Sequence, residues 1–286
     1  MKRFLPLLFL LAAARIIPME WPSPAGVITR NFGWNDKGQP HLGISFLGEK
    51  EIFTAGKAEL LYMRNEDDSA SRLPSPLGSW LALDHNDGII SIYSRKDALF
   101  SLPVPGEIEK GRILGKAGIS GWSNEKGFYF QLYDRKERRW INPSMVIPPP
   151  EDKRPPLILS VKLRDEHGKL FDPSQIKTLS QGRYYVLVEA VDTMLLPNEA
   201  PLAPYRIICS LNGGEVGALN FETFSVRDSS LMVYRNGLAP VKQVYAPYPL
   251  YEAAEVWFSR GQTSLEIIAQ DIAGNERKVV FRLMVE

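Results

Sequence analysis

A mainly β architecture in two units follows from three features of the 286-residue chain. Gly and Pro each number 22, and punctuation that dense favours turns between short strands over long helices. The apolar runs are short, rich in β-branched residues and bounded by Gly, Asn or Asp. No stretch of the first half sustains the 3.6-residue period of an amphipathic helix. The overall mix, 44% hydrophobic and 23% charged, excludes wholesale disorder, collagen and coiled coil. A net charge of +1 leaves no basic excess to neutralise a run of phosphates, so nucleic acid is not an expected partner. A single cysteine, Cys209, excludes an internal disulfide, and three histidines leave little for a His-rich metal site.

The chain opens with Lys2 and Arg3 followed by an apolar run from Phe4 to Ala14, with Ala12 and Ala14 as small residues at its end. That is the pattern of a secretory signal peptide over residues 1–14, with the mature chain starting near Arg15. The run is shorter than the roughly 20 residues a membrane-spanning helix needs, and no second apolar stretch approaches that length. No cysteine ends the run, so a lipoprotein anchor is not expected either. The expectation is therefore an exported chain, periplasmic or extracellular, without a transmembrane anchor.

Residues 15–147 read as the first unit. Gly26-Val27-Ile28-Thr29-Arg30, Leu81-Ala82-Leu83-Asp84 and Ile89-Ile90-Ser91-Ile92-Tyr93 are strand-like. His85-Asn86-Asp87-Gly88 lies between the last two and ends in Asp-Gly, a hairpin signal. Residues 148–156 form a proline-rich linker. The window Ile147 to Pro156 holds five prolines in ten residues, which favours extended geometry and cannot continue a sheet interior. Residues 157–286 form the second unit. Tyr184 to Val191 and Tyr205 to Leu211 are strong strands, the latter followed by a turn at Asn212-Gly213-Gly214. Leu265 to Gln270 leads through Asp271-Ile272-Ala273-Gly274-Asn275 into Lys278 to Leu283. This closing hairpin resembles the last hairpin of an immunoglobulin-like β-sandwich without its disulfide. Tyr245-Ala246-Pro247-Tyr248-Pro249-Leu250-Tyr251 is an aromatic-rich loop, suited either to partner contacts or to packing on the sandwich.

Five ordered segments of the first unit resemble the M23 peptidases, the LytM or lysostaphin-type zinc endopeptidases of peptidoglycan. Trp21-Pro22 and Gly26 to Gly33 are similar to the family's opening strand and S-x-F-G turn. His41-Leu42-Gly43-Ile44-Ser45 falls where the family has H-x-G-x-D. Leu83 to Tyr93 is similar to I-x-H-x-x-G-x-x-T-x-Y-x-H-L, and Lys110 to Gly121 to a glycine-rich segment. Gly127-Phe128-Tyr129-Phe130-Gln131-Leu132 sits where the family has H-L-H-F-E, with Asn142-Pro143 after it. The resemblance implies a LytM-like antiparallel β domain followed by an immunoglobulin-like β-sandwich.

It also implies a zinc site that this chain has largely lost. The first ligand position keeps His41, but the Asp position is Ser45 and the second H-x-H position reads as Phe130. The first H-x-H position reads as Phe128, and the His after Tyr93 becomes Arg95. Phenylalanine offers no lone pair, and a neutral hydroxyl is a poor zinc ligand beside a carboxylate. No cofactor is expected, zinc included, and no catalytic residue is assigned. His41, Ser45, Tyr93, Arg95, Trp122, Phe128 and Phe130 are the candidate contacts of the remaining groove, with filling of the vacated space as the alternative role for the phenylalanines. His85 is expected in a turn or at the surface, His167 in a solvated turn, and Cys209 as a buried inert thiol. Asp271 to Asn275 reads as a hairpin turn rather than a calcium loop. The function implied is an exported, non-catalytic envelope protein that binds a peptidoglycan peptide or regulates or scaffolds a wall hydrolase. The alternative is an active endopeptidase with an unusual zinc site. The sequence leaves the oligomeric state open.

Overall fold

The computed structural model describes residues 19–24, 26–48, 50–66, 73–94, 96–99, 106–122, 126–149, 151–193 and 200–286. The expected signal peptide and Arg95 lie outside them.

The fold is mainly β, in sheets whose strand pairs are antiparallel with a single parallel exception among the described residues. The first half contributes β1 (Val27–Arg30), β2 (Asn35–Asp36), β3 (Gln39–Pro40), β4 (Ile44–Leu47), β5 (Glu51–Phe53), β6 (Ala58–Arg64), β7 (Trp80–Asp84), β8 (Ile89–Ser94), β9 (Lys96–Leu99), β10 (Glu107–Ile108), β11 (Ile113–Ala117), β12 (Gly127–Asp134) and β13 (Arg139–Ile141). The second half contributes β14 (Leu157–Asp165), β15 (Leu170–Phe171), β16 (Thr178–Leu179), β17 (Gly182–Val191), β18 (Arg206–Leu211), β19 (Gly214–Arg227), β20 (Ser230–Arg235), β21 (Leu238–Pro240), α1 (Val241–Tyr245), β22 (Tyr251–Phe258), β23 (Gly261–Gln270) and β24 (Glu276–Val285).

Strand β12 organises the first half. It pairs with β8 along one edge and with β4 and then β13 along the other. The sheet runs on from β8 through β7 and β6 to β10, while β5, β11 and β9 form a separate three-stranded sheet. Ile44, Phe46, Ile52, Leu81, Leu83, Tyr93, Leu114, Phe128, Phe130 and Leu132 form the core on the inner face. The hairpin between β7 and β8 turns at Asn86 (φ 61°) and Gly88 (φ 97°), as the Asp-Gly pair predicts.

The second half is a two-layered sandwich. One layer is β15-β14-β17-β22, and the other contains β19-β18-β23-β24-β16. Alternation along β23 sends Thr263, Leu265, Ile267 and Ala269 inward, the period-2 pattern of a strand with one buried face. Cys209 lies in this core, and burial pushes its thiol up to about 12. Glu252 is also buried, and is held by Arg164, Arg235 and Gln243. A buried carboxylate without such partners would cost several kcal/mol.

The halves are joined by more than the proline stretch. Strand β13 pairs with β19, so one sheet runs through both. Phe32 of the first half belongs to the second half's core. The Gly33 carbonyl accepts the Tyr245 hydroxyl at 2.7 Å, and a Cβ on Gly33 would stand 2.6 Å from the Phe221 ring. Asn142 Nδ2 donates to the Phe221 carbonyl at 2.9 Å. The proline stretch itself is strapped down. Trp21 Nε1 donates to the Pro148 carbonyl at 2.8 Å, and Asn275 Nδ2 to the Asp152 carbonyl at 3.1 Å.

The expectation of a turn or surface role for His85 needs correction. The residue begins the β7–β8 hairpin, but its ring is buried. Nδ1 lies 2.9 Å from the Lys57 carbonyl and Nε2 lies 2.8 Å from Ser91 Oγ. A carbonyl only accepts, so Nδ1 carries the proton and Nε2 accepts from the serine. Burial lowers the imidazole pKa. The folded state therefore resists a proton that the unfolded chain binds below its ordinary value of about 6.5. Stability from this group is full above that value and is lost as pH falls through it. The expected outcome is a melting temperature that drops more steeply between pH 7 and pH 5 for the parent than for His85→Gln. Equal slopes in thermal melts across that range would contradict it.

Candidate functional site

His41 occupies the loop between β3 and β4. Its backbone is fixed by Gly33 N donating to its carbonyl at 2.8 Å and by its own N–H donating to the Trp34 carbonyl at 2.9 Å. The side chain meets Ser45, with Nε2 and Oγ 3.0 Å apart. The Tyr129 ring lies against the imidazole, centroids 4.8 Å apart. Gln131 Nε2 donates to the Tyr129 hydroxyl at 2.9 Å and to the Leu42 carbonyl at 3.4 Å. Gly43 makes this closeness possible, since a Cβ there would fall 2.2 Å from the Phe130 carbonyl oxygen. The result is a compact group of two hydrogen-bonded pairs, His41 with Ser45 and Gln131 with Tyr129, in contact through the His41 and Tyr129 rings.

Strand pairing corrects the expected role of the phenylalanines. In the β4–β12 ladder, Tyr129 stands opposite Ser45, while Phe128 stands opposite Phe46 and Phe130 opposite Ile44. Side chains alternate across a strand, so a one-residue shift moves a pair to the other face. Residues that share the face of His41 and Ser45 are therefore Tyr129 and Gln131. Phe128 and Phe130 point into the core, 1% and 0% exposed. Phe128 stacks on Phe46 at 4.6 Å, and Phe130 packs on Tyr93 at 5.2 Å. Tyr93 is equally buried. Its hydroxyl accepts the Ala55 N–H at 2.9 Å, and burial raises its pKa to about 12. Tyr93, Phe128 and Phe130 therefore line no groove. Trp122 follows β11 on an exposed loop, with 74% of its surface accessible. Arg95 lies outside the described residues, and His167 sits in the turn after β14, its N–H donating to Asp165 Oδ1 at 2.9 Å.

The donors at His41 do not fit a catalytic zinc. Such a site takes three ligands from His, Cys, Asp or Glu and leaves a position open for water. Here one imidazole faces a serine hydroxyl, a phenol and a primary amide. The Gln131 NH₂ is turned toward the Tyr129 hydroxyl, so this group presents protons rather than lone pairs to its neighbour.

A second cluster was not legible in the sequence. Asp152, Asp192 and Asp271 bring carboxylate oxygens within 4.8 Å of one another at the junction of the halves. It is the one group of three metal-competent side chains among the described residues. Asp271 is committed to Asn275, accepting its N–H and its Nδ2 at 2.8 Å each. Burial and the neighbouring Asp271 push Asp192 up to about 7. The three positions are scattered along the chain, and only their folding together reveals them.

A family model carrying no functional description matches residues 155–286. No curated protein matches the chain. Solved structures similar to parts of it include a mutant catalytic domain of the prophage-encoded M23 protein EnpA from Enterococcus faecalis, 19% identical over 41% of this chain and 87% of that one, TM-score 0.35. Another is a putative M23 peptidase from Pseudomonas aeruginosa, 17% identical over 46% and 50%, TM-score 0.35; the chain spans half of that protein. A third is the SpoIIQ–SpoIIIAH pore-forming complex, 13% identical over 46% and 92%, TM-score 0.38.

Two outcomes follow from this geometry. Phe130→Ala empties a fully enclosed volume between Tyr93 and Ile44, and is expected to cost about 3–5 kcal/mol in denaturant unfolding; a loss under 1 kcal/mol would mean the ring is not packed as observed. Asp192 binds its proton more tightly folded than unfolded. Its contribution is full below the ordinary carboxylate value of about 4 and is lost as pH rises through about 7. Asp192→Asn is thus expected to raise the melting temperature at pH 8 and to change it little at pH 4.

Proposed function

We propose that the chain is an exported, non-catalytic envelope protein on an M23-like frame, contacting a peptidoglycan peptide or an envelope hydrolase rather than cutting a bond. One observation carries this reading. The face that bears His41 bears Ser45, Tyr129 and Gln131 with it, joined as a His41–Ser45 pair and a Gln131–Tyr129 pair, where a metalloendopeptidase needs anionic or imidazole ligands. Export is supported by the charged and apolar pattern of residues 1–14. The five ordered motifs of the first half support the M23-like frame.

The test is metal content and wall hydrolysis measured on the purified mature protein. The expected result is no stoichiometric zinc and no release of peptide from peptidoglycan. The double variant Ser45→Asp with Tyr129→His, which sets a carboxylate and a second imidazole against His41, should gain zinc affinity over the parent. One zinc per parent chain, lost on His41→Ala, would overturn the reading.

A further inference from the structure

An open cleft of about 460 Å³ lies where the two halves meet, within the size range of small-ligand sites. Arg30 at the end of β1 and Trp34, Asp36 and Lys37 around the β2–β3 hairpin line it from the first half. Pro201 and Tyr248 line it from the second. Neither half forms it alone.

Three observations indicate what it takes. The first is the division of labour in the aromatic loop. Tyr245 and Tyr251 are buried and turn their hydroxyls to the Gly33 carbonyl. Tyr248 is 51% exposed and shares the cleft with Trp34. Two aromatic side chains thus border an open space on a frame braced by their buried neighbours. The second is charge. Arg30 and Asp36 approach only to 3.9 Å, with side chains 42% and 45% exposed. A solvated pair at that distance is weak, and a carboxylate that reached the guanidinium in two-pronged geometry would displace it. Lys37 adds a second cation. It holds φ 52° ahead of Gly38 at φ 91°, in a two-residue turn where Asn-Gly is the usual pair. The third is the open edge. Strand β1 pairs with β4 on one side and with no other described strand. That second edge carries no strand among the described residues, and Ala203 meets its end through the Asn31 side chain, so a strand added there would lie beside residues 27–30.

We propose that this cleft binds an extended peptide segment bearing a carboxylate. The segment lies beside β1, with its acidic group at Arg30 and Lys37 and an aromatic or apolar side chain at Trp34 and Tyr248. This goes beyond the function proposed above, and it requires neither the presence nor the absence of hydrolysis.

The test uses the full mature chain and two blocked tetrapeptides, acetyl-Tyr-Ala-Glu-Ala-amide and its Gln counterpart, titrated calorimetrically. The acidic peptide should bind and weaken as salt rises. The neutral one should bind about tenfold more weakly, the loss of one charge-assisted contact. Arg30→Gln and Lys37→Asn should each weaken the acidic peptide by roughly five- to tenfold, with Asn keeping the left-handed turn. Tyr248→Ala should do so by about tenfold. Melting temperatures of all three should match the parent. His167→Ala, in the turn after β14, should bind like the parent. No binding by the parent, equal binding of the two peptides, parent-like binding by the three cleft variants, or loss of binding in His167→Ala would each overturn the assignment.

Discussion

The register of β4 against β12 decides what the first half can do. Setting Ser45 opposite Tyr129 places four polar side chains on one face and four apolar ones on the other: Ile44, Phe46, Phe128 and Phe130. The apolar face closes the core, with Phe128 flat on Phe46 and Phe130 against Tyr93. A slip of one residue would turn Gln131 and Ser45 into the apolar core and two phenylalanines out of it, so the pattern of side chains fixes the register strongly. Gly43 adds a second constraint, because the His41 loop reaches β12 only where no side chain intervenes.

The same register ties the polar face to the junction of the halves. Gly33 donates to the His41 carbonyl and in turn receives the Tyr245 hydroxyl. Phe32, one residue earlier, packs into the second half's core. The segment between β1 and β4 therefore serves both cores. Its backbone holds the imidazole on one side and is wedged against Phe221 on the other. A chain connected only by an extended proline stretch would let the halves swing. A continuous β13–β19 ladder, a shared aromatic core and the buried Asn35 and Asn142 contacts oppose that.

Most of the fold was legible in local patterns. The strands at residues 184–191, 205–211 and 265–270 are strong alternating or β-branched runs, and the His85 to Gly88 turn carries its own Asp-Gly signal. These are short-range properties. What local pattern did not reveal was which face a strand presents. Gly127 to Asp134 is apolar at nearly every position, so its alternation is weak. Matching a motif by residue type placed Phe128 and Phe130 one step from the positions that pair with the His41 face. His85 posed the opposite problem. Its turn context suggested solvent, yet Lys57 and Ser91, distant and near in sequence, converge to satisfy both ring nitrogens. The acidic trio of Asp152, Asp192 and Asp271 has no local signature, because three separate segments supply it. Tyr245 to Tyr251 was legible only as aromatic-rich; the structure divides it into two bracing tyrosines and one exposed.

A metal ion in a β frame does structural as well as chemical work, since its ligands cross-link the elements that bear them. Under the M23-like reading, exchanging those ligands for neutral groups removes that cross-link, and something must hold the His41 loop against β4 and β12. Here hydrogen bonds serve: His41 to Ser45 joins the loop to β4, and Gln131 to the Leu42 carbonyl joins β12 to the loop. Each is worth about 1 kcal/mol net, far less than a structural metal contributes. The remaining constraint comes from packing, through the Gly43 contact and the Tyr129 ring on the imidazole. Such a group is held by packing and by the His41–Ser45 and Gln131–Tyr129 hydrogen bonds, and Ser45, Tyr129 and Gln131 are buried in it. The cleft proposed above as a peptide site differs in this respect, since Arg30, Asp36 and Tyr248 stand half exposed where the two halves meet.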